Sequence, residues 1–109
     1  MNWELLNEEA QLEKIMQQSF QQPVVIFKHS TRCSISSMAK NRLERVSQPE
    51  NIKFYYLDLL RFRSVSNKIA ELFQVYHESP QVLLIKNGAC VYDESHSGIE
   101  MQEIIAQAA

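Results

Sequence analysis

Apolar residues recur along this chain with two alternating periods. Leu12, Ile15, Met16 and Phe20 fall at i, i+3, i+4 and i+8, one face of a helix, with Asn7 as a candidate cap and Glu8 and Glu9 in the dipole-favoured first turn. Pro23 opens Val24-Val25-Ile26-Phe27, a β-branched and aromatic run that reads as a strand buried on both faces. Beyond Lys28-His29-Ser30-Thr31-Arg32-Cys33 the helical period returns at Ile35, Met38, Ala39, Leu43 and Val46. Ile52 to Leu57 predicts a second strand, and Ile69, Leu72, Phe73 and Tyr76 mark a third helix. Strand, helix, strand implies a parallel pair. After Ser79-Pro80, Val82 to Ile85 meets Cys90-Val91-Tyr92 across Asn87-Gly88, a strong hairpin signal. Ser97-Gly98-Ile99-Glu100 reads as a capping box, followed by a closing helix with Met101, Ile104, Ile105 and Ala108 on its face. The expected order is α-β-α-β-α-β-β-α: an α/β fold with a four-stranded mixed sheet and helices on both faces, residues 1–109 forming a single domain.

Composition narrows the function classes. With 109 residues, 45% of them hydrophobic, the chain can build a core without disulfides or metal. A net charge of −2 with scattered basic residues lacks the cationic field that nucleic acid requires. No apolar run approaches the roughly 20 residues that span a bilayer, so no membrane partner is expected. Met1-Asn2-Trp3-Glu4 is acidic and leads into a polar helix, so no secretory signal is expected and the cytoplasm is the expected location. Cys33 and Cys90 are too few and too far apart for a disulfide framework, and each is read as a thiol.

Cys33 is the candidate for chemistry. It stands where a buried strand gives way to a helix, and a helix N-terminus offers unpaired N–H groups and partial positive charge to a thiolate. Arg32 adds a neighbouring positive charge, and Ser36, three residues on, is placed to donate a hydrogen bond to the sulfur. Position 36 is also where a Cys-x-x-Cys pair would carry its second thiol, so Cys33 must be resolved from outside unless Cys90 lies within reach. Cys90, in mid-hairpin, has no activating features and reads as inert packing. A Cys-x5-Arg phosphatase loop fails because position 39 is Ala, and a His-x3-Cys-x3-Arg reductase loop fails because position 37 is Ser. Two glycines, Gly88 and Gly98, cannot build a phosphate cradle, and His29, His77 and His96 have no metal-ligand spacing. His77 and His96 read as surface or loop residues, His29 as a group that tunes the thiol, and Trp3 and Phe54-Tyr55-Tyr56 as packing.

Strand, cysteine at a helix start, and Ser79-Pro80 directly before a hairpin strand resemble the thioredoxin fold. More narrowly, Lys28 to Ser36, with His77-Glu78-Ser79-Pro80-Gln81 and Asn87-Gly88, is similar to the monothiol bacilliredoxins, the YtxJ-like group, over nearly the whole chain. The resemblance implies that Cys33 is the active cysteine, that Ser36 occupies the missing resolving position, and that Pro80 is cis and faces the active cysteine. Ser79, Pro80, Thr31 and His29 are then the substrate-facing residues. It also implies removal of bacillithiol, or another low-molecular-weight thiol, from S-thiolated client proteins, with that thiol as co-substrate and no bound cofactor or metal. Where many relatives read Thr-Cys-Pro-Ile-Ser, this chain carries Arg32 and Ser34 beside Cys33, which leaves the identity of the small thiol open. Two other uses of such a fold remain open. One is an iron–sulfur cluster shared between subunits, for which the Cys-Gly-Phe-Ser signature is missing; the other is a non-catalytic module gripping extended peptides beside Pro80.

Overall fold

The strand opened by Pro23 becomes the middle of the sheet, which explains why it carries apolar side chains on both faces. In the computed structural model, which describes residues 1–109, the elements are β1 (Trp3–Leu5), α1 (Ala10–Gln18), β2 (Val24–His29), α2 (Ser34–Glu44), β3 (Lys53–Asp58), α3 (Arg63–Phe73), β4 (Gln81–Lys86), β5 (Ala89–Ser95) and α4 (Met101–Ala108). The strands lie in the order β1-β3-β2-β4-β5. β2 runs parallel to β3 and antiparallel to β4, with Val25 opposite both Phe54 and Leu84, and every residue of β2 is buried.

The sheet therefore has five strands, not four. Trp3–Leu5 pairs with Phe54–Tyr56 in parallel, and the Leu6 N–H continues the ladder to the Tyr56 carbonyl at 2.9 Å. Three residues with Glu4 and Leu5 exposed carry no strand period. What fixes them is Trp3, whose indole stacks on Phe27 (centroids 5.6 Å apart) and donates its N–H to Glu44 at 2.8 Å.

Alternate residues of the strands feed two cores. Val24, Ile26, Tyr55, Leu57, Leu83 and Ile85 face α1 and α3, while Val25, Phe27, Phe54, Val82 and Leu84 face α2 and α4. Several helix details differ from the sequence pattern. Glu9, not Asn7, is the N-cap of α1, and the Gln11 side-chain oxygen accepts the Asn7 and Glu8 N–H groups instead; Phe20 lies past the helix end. In α2 the buried residues are Ser36, Ala39 and Leu43, whereas Ile35 and Met38 are 51% and 61% exposed and Val46 is also exposed. In α3 the inward face is Val65, Ser66, Ile69 and Phe73, and Tyr76 stands in solvent beyond the helix. The Ser97–Glu100 capping box does not form: His96–Gly98 makes a single 3-10 turn and Glu100 caps α4 through backbone alone. The hairpin forms as expected, Asn87 (φ 52°) and Gly88 (φ 81°) both occupying the left-handed region that a tight type I′ turn needs. No helix is long and apolar enough to cross a membrane.

Candidate functional site

β2 and β3 are adjacent parallel strands, and their carboxyl ends, His29 and Asp58, are register partners. The chain leaving each strand therefore turns over the same edge of the sheet, where ligands of open α/β sheets gather. From β2 the Cys33 N–H bonds back to the Ser30 carbonyl at 3.2 Å, a tight turn that delivers Cys33 to the N-cap of α2 in extended conformation (φ −110°, ψ 122°). Cys33 is half-buried, with Thr31 and Arg32 exposed before it. The α2 N-terminus expected to face the sulfur is in place.

Ser36 does something other than expected. It is fully buried, and its hydroxyl contacts His29 Nδ1 at 2.6 Å and accepts the Ser30 N–H at 3.0 Å rather than bonding to the Cys33 sulfur. With one proton to donate and a second lone pair free, the Ser36 hydroxyl can close the contact to Nδ1 with either tautomer of the ring. Burial, aided by Lys40, lowers the pKa of His29 from the ordinary histidine value, although Asp58 and Glu44 pull the other way. The ring is held between Phe27 and Tyr56, each 5.6 Å away. His29 and Ser36 thus fasten the turn that presents Cys33.

On the other side of β2, antiparallel pairing of Lys28 with Gln81 brings Pro80 level with His29. Pro80 is buried and the Ser79–Pro80 peptide bond is cis, as the resemblance implied. The Ser79 hydroxyl is buried and has no hydrogen-bond partner in the chain.

Two features here escaped the sequence reading. Lys28 is fully buried on the α1–α3 side, its amine 2.7 Å from His77 Nδ1. Burial pushes its pKa down to about 8 and lowers that of His77 as well, so the pair holds one proton on the lysine. A lysine closing an otherwise apolar strand was the signal. The second is a cleft of about 420 Å³ beside Cys33, lined by Thr31, Arg32, Asp58, Leu60, Arg61 and Arg63. Its arginines follow β3 as Arg61-Phe62-Arg63, a spacing that becomes legible only once β3 is known to lie beside β2.

Cys90 is excluded as an internal partner. It pairs with Ile85, which pairs with Val24 at the far end of β2, so a strand's length of roughly 16 Å separates it from the edge where Cys33 sits, well beyond disulfide reach. Its thiol donates to the Tyr92 carbonyl at 3.4 Å, and burial raises its pKa to about 11. No three His, Cys, Asp or Glu side chains converge as a metal-ligand set.

A provisionally described oxidoreductase with a thioredoxin fold superposes with a TM-score of 0.84 at 28% identity, over 96% of this chain and 92% of its own. The thioredoxin of Malassezia sympodialis (TM-score 0.78, 17% identity, 99% of this chain and 92% of that one) and that of Fasciola hepatica (0.77, 19%, 96% and 98%) share the same fold. This is a thioredoxin fold with a single cysteine at the edge where the chain leaves β2. Within that class, the family model "Monothiol bacilliredoxin BrxC" matches residues 4–104, and the chain belongs to that family. The family and the fold support a thiol oxidoreductase-like role.

Proposed function

We propose that this protein is a cytoplasmic monothiol oxidoreductase that removes a low-molecular-weight thiol, bacillithiol foremost, from the mixed disulfides of S-thiolated client proteins. The Cys33 thiolate attacks the small-thiol sulfur of the client disulfide. The client leaves as a thiolate that takes up a proton, and Cys33 now carries the small thiol. A second small-thiol molecule, as thiolate, attacks that sulfur, releasing the symmetrical small-thiol disulfide and restoring the Cys33 thiolate. No bound cofactor enters, and no net electrons are gained by the protein.

In this reading Cys33 stands at the α2 N-terminus, whose free N–H groups can bond the sulfur both as nucleophile and as the group that leaves in the second step, and Arg32 lies next to it on the cleft wall. Thr31, Ser79 and Pro80 flank the approach of the client, while His29 and Ser36 position the turn. The isolation of Cys33 from any other thiol carries the reading: it is accessible at the helix start, with a buried hydroxyl at position 36 and Cys90 at the opposite end of the sheet. A mixed disulfide at Cys33 then has no internal route of release.

Reduced protein incubated in parallel with oxidised bacillithiol, oxidised glutathione and coenzyme A disulfide, then weighed intact, tests this. The expected product is a one-to-one adduct on Cys33 that persists until free thiol is added, formed fastest with bacillithiol. Absence of any adduct, or its spontaneous loss with a Cys33–Cys90 disulfide, would overturn the proposal.

A further inference from the structure

The cleft beside Cys33 is electrostatically unbalanced in a way nothing else in the chain explains. Arg32, Arg61 and Arg63 all line it, in a protein whose net charge is −2. The ion pairs of the chain are Lys40–Glu44, Lys53–Glu4 and Lys68–Glu71, so none of the three guanidiniums is neutralised by a carboxylate within 4 Å. Asp58 is the one acidic residue of the lining, and its Oδ1 is occupied by the Leu60 and Arg61 N–H groups at 3.2 and 3.3 Å, shaping the turn after β3. The Arg61 guanidinium lies over the Phe62 ring, 5.2 Å from its centroid, which restrains it without consuming its hydrogen-bond donors.

Placement gives this charge a purpose. The cleft spans the loops leaving β2 and β3, held together by the His29–Asp58 register and the Leu59 N–H to His29 carbonyl bond at 3.0 Å, and Arg32 directly precedes Cys33. A volume of about 420 Å³ falls within the range of small-molecule sites. Planar guanidiniums bind carboxylate and phosphate oxygens in pairs. Resting on the exchange chemistry proposed above, we infer that this cleft is the subsite for the oxyanion-bearing end of the small thiol, carboxylate or phosphate, and that Arg61 and Arg63 make Cys33 select anionic small-thiol disulfides over neutral ones.

The test compares rates of Cys33 adduct formation with oxidised bacillithiol (carboxylates), coenzyme A disulfide (phosphates) and hydroxyethyl disulfide (neutral), in the natural protein and in the double variant Arg61→Gln/Arg63→Gln, which keeps Arg32. The readout is the ratio of each anionic rate to the neutral rate. Exposed ion pairs contribute roughly two- to fivefold each, so the double variant is expected to lower that ratio by about four- to twenty-fivefold. Loss with bacillithiol alone assigns the subsite to carboxylates, and loss with coenzyme A disulfide alone assigns it to phosphate. An unchanged ratio for both overturns the inference. A separate arm titrates S-methylglutathione, a dicarboxylate with no free thiol, into the natural protein while amide NMR shifts are followed. Saturable shifts at Thr31, Arg32 and Leu60 to Arg63, abolished in the double variant, support the subsite even if Cys33 reacts with no disulfide, which would sink only the exchange chemistry. No shifts there, either with S-methylglutathione or with inorganic phosphate titrated in the same way, would remove the subsite even if Cys33 exchanges readily.

Discussion

Lys28→Met isolates the cost of a charge that the fold has buried. Lys28 has no solvent exposure, and its amine meets one polar partner, His77 Nδ1. Lowering its pKa from 10.5 to about 8 corresponds to on the order of 3 kcal/mol of folding free energy withheld while the amine is charged. The sign follows from proton counting. Between pH 8 and 10.5 the unfolded chain keeps the lysine proton and the folded chain releases it, so stability rises with pH across that window; below pH 8 both states are charged and the penalty is complete. Methionine of similar length keeps the packing and removes the charge, and His77, at the surface, can turn to water. At pH 7 the variant should therefore be more stable, by about 1 to 3 kcal/mol. Urea unfolding at intervals from pH 7 to 10.5, under reducing conditions, measures both chains with their shared titrations cancelling in the difference. The advantage of the variant should shrink as pH rises through the window. Parallel pH profiles, or a variant less stable at pH 7, would show that Lys28 is neutral or is well solvated by His77 and carries no burial penalty.

At pH 8, iodoacetamide should label Cys33 at least tenfold faster than Cys90, whose pKa is raised to about 11 by burial; peptide mapping with equal rates would contradict the placement of Cys90. Ser36→Ala strands His29 Nδ1 and the Ser30 N–H and should cost roughly 1 to 3 kcal/mol in denaturant unfolding; a change under 0.5 kcal/mol would mean the pair is not closed in solution. Gly88→Ala puts a methyl 2.9 Å from the Phe20 ring at φ +81° and should lower stability by about 1 kcal/mol or more, whereas an unchanged melting temperature would place the turn in another geometry.

What could be read from the sequence was set by how local the cause is. The β2 run, the Asn87-Gly88 hairpin and the parallel β2–β3 pair follow from neighbours in the chain, and all are found. β1 escaped because three residues at a sheet edge are recruited by Phe54–Tyr56, half the chain away. The α2 face was misread because helical spacing says which residues share a stripe, not which stripe points inward: Ser36, Ala39 and Leu43 take the core, and Ile35 and Met38 are left exposed beside Cys33. At the site, the cysteine, its helix start and the cis Ser79–Pro80 were legible through local motif and family likeness. The arginine cleft and the Lys28–His77 pair needed register and tertiary contact, which no single stretch of sequence contains.

Trp3 is the chain's single tryptophan, and its position gives the protein a built-in optical gauge. The indole touches Phe27 and Tyr56, and both of those rings touch His29, so an unbroken aromatic relay joins the edge strand to the residue that fastens the turn before Cys33. Its emission colour reports whether the first strand is docked, and its intensity is exposed to changes in charge and packing around the histidine. Undocking of β1 can therefore be followed in the unlabelled protein as a red shift, with no probe added near the candidate site.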